Sequence, residues 1–204
     1  MFYNNLNFLS FSVFASQEGI KNIMAVLKSF IGNKSIHSQR STLKEEQSVV
    51  NMFRDSPWPG NVLSNFADTP FSIDGVYCSC SESFIQSLKI SDSSEQEGFC
   101  GLQGEEAWKK GSKLTEGVFI SERVWWRGTP YTLHSQEHFD LVKRGLSEKF
   151  CQSEKAREAL LATGDSALTH DYGQPLGKKQ SLPVDTFCQI VTEIRTEYEG
   201  KKNA

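Results

Sequence analysis

Residues 79–89, Ser79-Cys-Ser-Glu82-Ser-Phe-Ile-Gln86-Ser-Leu-Lys89, decide how the chain is read. After Ser79 the apolar pattern becomes helical: Phe84, Ile85 and Leu88 share one arc, while Glu82, Gln86 and Lys89 at i, i+4 and i+7 share another. A carboxylate on the first turn, an amide one turn on and an ammonium two turns on form a polar line. Such a line suits sugar hydroxyls with an acid or base beside them. The spacing also has a plainer reading, since Ser79-x-x-Glu82 fits a capping box in which Glu82 bonds back to the cap amide.

Upstream, Val49 to Phe53 is expected as a strand and the Asp55–Gly60 run as a turn, followed by Leu63-Ser-Asn65-Phe66. Phe71–Ile73 and Val76–Cys78 flank Asp74-Gly75, a hairpin signal. Downstream, Phe139, Val142, Leu146 and Phe150 mark one helix, Ala156–Leu161 ending at Gly164 a second, and Phe187, Ile190, Val191 and Ile194 behind Pro183 a third. Helices dominate the second half.

The 204 residues are 38% apolar, enough for one core and too few for two full domains. Residues 1–50 carry net +2 and residues 51–204 net −5. Residues 32–48 hold almost no large apolar groups, so residues 1–48 read as an N-terminal segment and linker, and 49–199 as the main domain. Within the segment, Ile20, Met24, Leu27 and Ile31 are spaced for one amphipathic helix. A net charge of −3 argues against an extended basic face for duplex nucleic acid. The apolar start, Phe2 to Ala15, is too short and polar to span a membrane and lacks the basic start of a secretory signal, and five cysteines without paired spacing suggest reduced thiols. The expected location is the cytoplasm.

Two further clusters carry chemistry. Residues 108–127 bring together Trp108, Lys109, Lys110, Lys113, Arg123, Trp125, Trp126 and Arg127, in which indoles can stack on bases and cations pair with phosphates. Neighbours on an extended segment point opposite ways, so one of Trp125 and Trp126 is expected in the core. The second cluster is Thr169-His-Asp171-Tyr-Gly173, where Asp171 is either a catalytic carboxylate or a turn former. His134 and His138 lack a third ligand, Cys78-Ser-Cys80 lacks a second pair, and no dinucleotide or P-loop fingerprint occurs. No metal or cofactor is therefore expected.

The ordered set Leu63-Ser-Asn65-Phe66, Asp74-Gly75, Ser81-Glu82, Gln86, Lys89, Gly111, Arg123, Trp126, Lys149-Phe150, Leu160-Leu161, Thr163 and Ile194-Arg195 resembles the NADAR superfamily of YbiA-like N-glycosidases over residues 49–196. The resemblance implies a compact, mainly helical α+β domain with a few short strands. It also implies cleavage of a ribosyl C1′–N bond. Members are linked to removal of ADP-ribose from guanine bases of DNA and to phosphoribosylamino intermediates of riboflavin synthesis. The expected partner is accordingly ADP-ribosylated nucleic acid or a ribosyl nucleotide, with a non-enzymatic NAD or ADP-ribose binding module as a further alternative. The family's S-E-H-Y-x-Q motif falls on Ser81-Glu82-Ser-Phe-Ile-Gln86, making Glu82 the expected catalytic carboxylate. The family tryptophan after an Arg falls on Trp126, with Trp125 as rival, and the late D-x-x-W-G aspartate falls on Asp171. Asn65, Phe66, Gln86, Lys89, Lys113, Arg123 and Trp125 are then expected to bind substrate. Ser83 and Tyr172 depart from the family's His and Trp.

Overall fold

The computed structural model describes residues 47–173 and 179–202. The expected N-terminal helix, the linker up to residue 46 and residues 174–178 lie outside the described residues. In chain order the elements are β1 (Val49–Asn51), α1 (Gly60–Leu63), β2 (Phe71–Ile73), β3 (Val76–Cys78), α2 (Ser81–Ser87), α3 (Ser93–Cys100), α4 (Gly104–Ser112) and α5 (Thr115–Ser121). They continue with β4 (Arg123–Trp126), β5 (Thr129–Thr132), α6 (Gln136–Gln152), α7 (Glu154–Leu161), β6 (Ala167–Thr169) and α8 (Val184–Lys202). Helices surround three two-stranded ladders among the described residues, an α+β arrangement.

Each ladder positions something. The β2–β3 hairpin pairs Phe71 with Cys78 and turns at Asp74 and Gly75, both at positive φ, as an Asp-Gly turn requires. The Asp74 carboxylate accepts from Trp126 Nε1 at 2.7 Å and from Arg144 at 2.6 Å, and these contacts, Arg144's above all, hold its pKa below the usual range. The β4–β5 pair sets Trp126 opposite Thr129. The parallel β1–β6 pair joins residues more than a hundred positions apart and continues as Met52 N donating to the Thr169 carbonyl at 2.8 Å.

The core lies between α2, α6, α7, α8 and the hairpins. Phe84 of α2 is fully buried, edge-on to Phe71 and Trp126 at centroid distances of 6.0 and 5.2 Å. Burying such side chains contributes about 1.5–3 kcal/mol each. A glycine on α6 makes room: a Cβ at Gly145 would lie 2.2 Å from Phe84 Cε1, so the helix passes close only without one. Leu141, Val142, Leu146 and Phe150 line the buried face of α6, while Phe139 of the expected stripe is only partly buried.

Candidate active site

The start of α2 differs from the expected capping box. The cap is Cys80, not Ser79, and Ser83 at the third helical position accepts from the Cys80 amide at 3.3 Å. Ser83 thus does the capping for which Glu82 was a candidate, and Glu82 is left to point elsewhere. Its amide donates to the Asn65 carbonyl at 2.8 Å, which fastens the 63–66 connection to the helix start. The connection is held from below by Lys149 of α6, fully buried, whose ammonium donates to the carbonyls of Leu63 and Ser64 at 3.4 and 3.2 Å. Burial pushes the pKa of Lys149 down to about 7.

Glu82 is 6% exposed and lines a cavity of about 390 Å³. The walls come from α2 (Glu82, Ile85, Gln86), the turn after it (Lys89), α4 (Trp108, Ser112) and α5 (Thr115). Asn65, His170, Tyr172, residues 179–182, Val184 and Phe187 complete them. Glu82 is the sole carboxylate on this wall among the described residues. Gln86 Nε2 donates to Glu82 Oε1 at 2.9 Å. Burial pushes the Glu82 pKa up to about 7, against the opposing pull of the Gln86 hydrogen bond and the Lys89 charge. Lys89 donates to the Gly111 carbonyl at 3.2 Å and to Thr115 Oγ1 at 2.8 Å, and burial lowers its pKa to about 8. The group therefore holds an acid or base and a cation that both titrate near neutrality, the condition proton transfer at neutral pH needs.

Gly111 sets how close α4 lies to α2. A Cβ there would sit 2.1 Å from Gln86 Oε1 and 2.7 Å from Gln86 Cβ. The Gln86 Oε1 and Asn65 Oδ1 oxygens are buried without a protein partner. Both residues belong to the cavity wall, but Gln86 Oε1 is packed against Gly111.

Of the residues expected from sequence, Glu82, Gln86, Lys89 and Asn65 come together. The others do not join them. Trp126 is corrected: it is 3% exposed and belongs to the core, its ring against Phe84 and its N–H given to Asp74. Trp125 packs partly buried against the same core, its carbonyl accepting from Gln96. Asp171 is an exposed turn residue outside the cavity; its carboxylate accepts from the Gly173 amide at 2.8 Å, and its backbone exchanges two hydrogen bonds with the Asn51 side chain. Lys113 caps the C-terminus of α4 beside a separate groove, and Arg123 is exposed on β4. Phe66 is half-buried under the Arg54 guanidinium, 5.5 Å from its ring centroid, and is not on the wall. The missed residues are Trp108, 49% exposed, and Tyr172, 37% exposed, with His170 behind the latter. Trp108 stood in the aromatic and basic cluster already noted; the apolar residues around it gave no sign of which indole faces the opening.

Among the described residues no cluster of three or more His, Cys, Asp or Glu is arranged to hold a metal, and no helix is long and apolar enough to cross a membrane. The model of the family described as bacteriophage protein GP30.3 matches residues 57–196. The chain belongs to this family. Through it and the fold the chain stands in the NADAR superfamily. It is 29% identical over 151 residues, 74% of this chain and 97% of the relative, to an uncharacterized 17.1 kDa protein in the Gp30-rIII intergenic region of Enterobacteria phage T4. The solved NMR structure of the E. coli protein YbiA shares the fold, with a TM-score of 0.55 at 19% identity, covering 83% of this chain and 95% of YbiA. The superfamily relationship supports a glycohydrolase type of function in general.

Proposed function

We propose that the protein is an N-glycoside hydrolase that cleaves a ribosyl C1′–N bond, with ADP-ribose attached to a guanine base of nucleic acid as its substrate. The observation that carries the reading is Glu82: a buried carboxylate held by Gln86, poised to titrate near neutrality, and opening on a cavity of about 390 Å³. That volume lies at the lower end for small-ligand sites and suits a nucleoside-sized group rather than a duplex.

Breaking a C1′–N bond leaves positive charge on the sugar and an electron pair on the departing base. In this reading ionised Glu82 stands beside C1′, where it stabilises the sugar cation and takes the proton of the attacking water. Lys89 supplies positive charge toward the leaving group or a phosphate; of the three cations expected for this task it is the one on the cavity wall. Trp108 takes the base-stacking role that the resemblance implied for Trp126. Asp171 has no part in the step.

The test is incubation of the purified protein with guanine-ADP-ribosylated DNA, NAD and a phosphoribosylamino pyrimidine, with mass detection of products. Release of ADP-ribose from the DNA, lost in Glu82→Gln, is the expected result. Turnover of the pyrimidine compound alone would assign the site to a small metabolite. Binding of NAD or ADP-ribose without any turnover would make it a sensor.

A further inference from the structure

The cavity wall carries a phenol, Tyr172, in the place where the family resemblance leads one to expect an indole. What sits behind it fixes how it can be used. The β1–β6 ladder brings the Met52 carbonyl to 2.7 Å from His170 Nδ1. A carbonyl oxygen only accepts, so Nδ1 carries the ring proton. Burial holds the His170 pKa down, which keeps the ring neutral and leaves Nε2 as an acceptor. Tyr172 Oη lies 2.8 Å from that Nε2, with the two rings edge-to-face at 4.6 Å. The phenol proton is therefore directed at His170.

The consequence is directional. Tyr172 turns lone pairs, and no proton, toward the cavity. A carboxylate stands nearby: burial, with the Glu82 charge adding to it, raises the phenol pKa to about 12. A phenol oxygen and a carboxylate on one wall favour a ligand that brings O–H donors to that side of the cavity.

Building on the glycosidase reading, we infer that Tyr172 is a substrate-binding residue whose hydroxyl oxygen accepts a hydrogen bond from a hydroxyl of the substrate ribose. In the same arrangement His170 is a positioning residue that aims it. The chain thereby selects a fully hydroxylated ribosyl group and disfavours one lacking the contacted hydroxyl, because that analogue leaves a desolvated acceptor unpaired. His170 borders the cavity at 7% exposure, its ring packed against Phe187 at 4.9 Å and its Nε2 taken by the phenol.

The experiment measures binding of ADP-ribose, and of its analogues deoxygenated at the 2- or the 3-position of the terminal ribose, to the full chain by calorimetry. Wild type, Tyr172→Phe, Tyr172→Trp and His170→Phe are compared, alongside the release assay above. Tyr172→Phe should weaken ADP-ribose binding roughly tenfold and leave binding of one of the two deoxy analogues unchanged. Tyr172→Trp keeps the aromatic bulk, so it gives the same answer if the Phe variant folds poorly. His170→Phe should weaken binding less, and adding it to Tyr172→Phe should cost nothing further. In wild type, ¹⁵N spectra of His170 should show the Nδ1–H form with Nε2 as acceptor. Equal losses on all three ligands, no loss in either Tyr172 variant, or the opposite tautomer would overturn the inference while the release assay still stood. A wild-type protein that neither binds ADP-ribose nor releases it would overturn the functional reading, and the inference with it.

Discussion

Helix α4 and the β4–β5 hairpin are made of the same materials, tryptophan beside lysine or arginine, yet one faces the cavity and the other faces the core. On α4, Lys109 and Lys110 pair with Glu105 and Glu106 at 2.8 Å one turn back, and Trp108 remains exposed at the cavity. On β4, Trp126 is packed against Phe84 and tied to Asp74, while Trp125 packs partly buried against the same core. A cluster of indoles and cations in sequence therefore identifies stickiness, not direction. What separates the two regions is the neighbour each meets: a hairpin turn whose carboxylate accepts the indole N–H for Trp126, an opening for Trp108.

Four variants test this contrast. The largest effect is expected at the carboxylate itself. Glu82→Gln should lower kcat by roughly 10²–10⁴-fold, the usual contribution of an acid–base group, with the fold intact. Wild-type activity should rise as pH increases through about 7, as Glu82 ionises, and decline as Lys89 loses its proton near 8. The stability sign is opposite to that of an ion-paired carboxylate. A pKa raised from 4.5 to about 7 means that Glu82's favourable contribution is complete below 4.5 and lost as pH rises through about 7. Thermal melts should accordingly show Glu82→Gln gaining on wild type at pH 8 and losing that advantage toward pH 4.5.

Trp126→Ala tests the core side and should cost about 3–5 kcal/mol in denaturant unfolding, through a cavity beside Phe84 and the loss of one of the two hydrogen bonds to the Asp74 carboxylate. A variant that stayed stable but lost ligand affinity would restore Trp126 to the site. Gly111→Ala comes next. The new Cβ displaces Gln86 and should cost about 1–3 kcal/mol, with activity falling further than stability accounts for, because the Glu82–Gln86 hydrogen bond goes with it. Trp108→Ala should leave stability within about 0.5 kcal/mol of wild type, as expected of an exposed side chain. Its nucleotide affinity should nonetheless fall by roughly 5- to 100-fold, the range for losing one stacked base. Unchanged affinity there would remove the proposed stacking platform and leave the cavity to the sugar alone.

Much of the fold was legible. The helix from Gln136 and the helix behind Pro183 follow the 3.6-residue spacing of their apolar groups, and Asp74-Gly75 announced its hairpin, because these patterns express local geometry that packing then accepts. The pair Glu82 and Gln86 was legible for the same reason, since one helix fixes both on one side, whereas the helix ends before Lys89, whose ammonium is held at the cavity by Gly111 and Thr115. Asp171 was less so, since a loop aspartate before Gly reads alike whether it caps a turn or meets a substrate. Here it caps the turn at Gly173. Sequence also placed the cap of α2 one residue early. Ser79 and Cys80 both precede the helix, and the backbone hydrogen bond from Ser79 to the Cys100 carbonyl draws Ser79 away to α3.

By itself, then, the chain of residues determined which side chains ride together on single helices and which dipeptide turns back on itself, since both depend on spacing within a few positions. Tertiary structure alone decided which tryptophan reaches the opening, that Ser83 relieves Glu82 of capping, and that His170 stands between Met52 and Tyr172. Those outcomes rest on contacts between segments far apart in the chain, and no local periodicity encodes them.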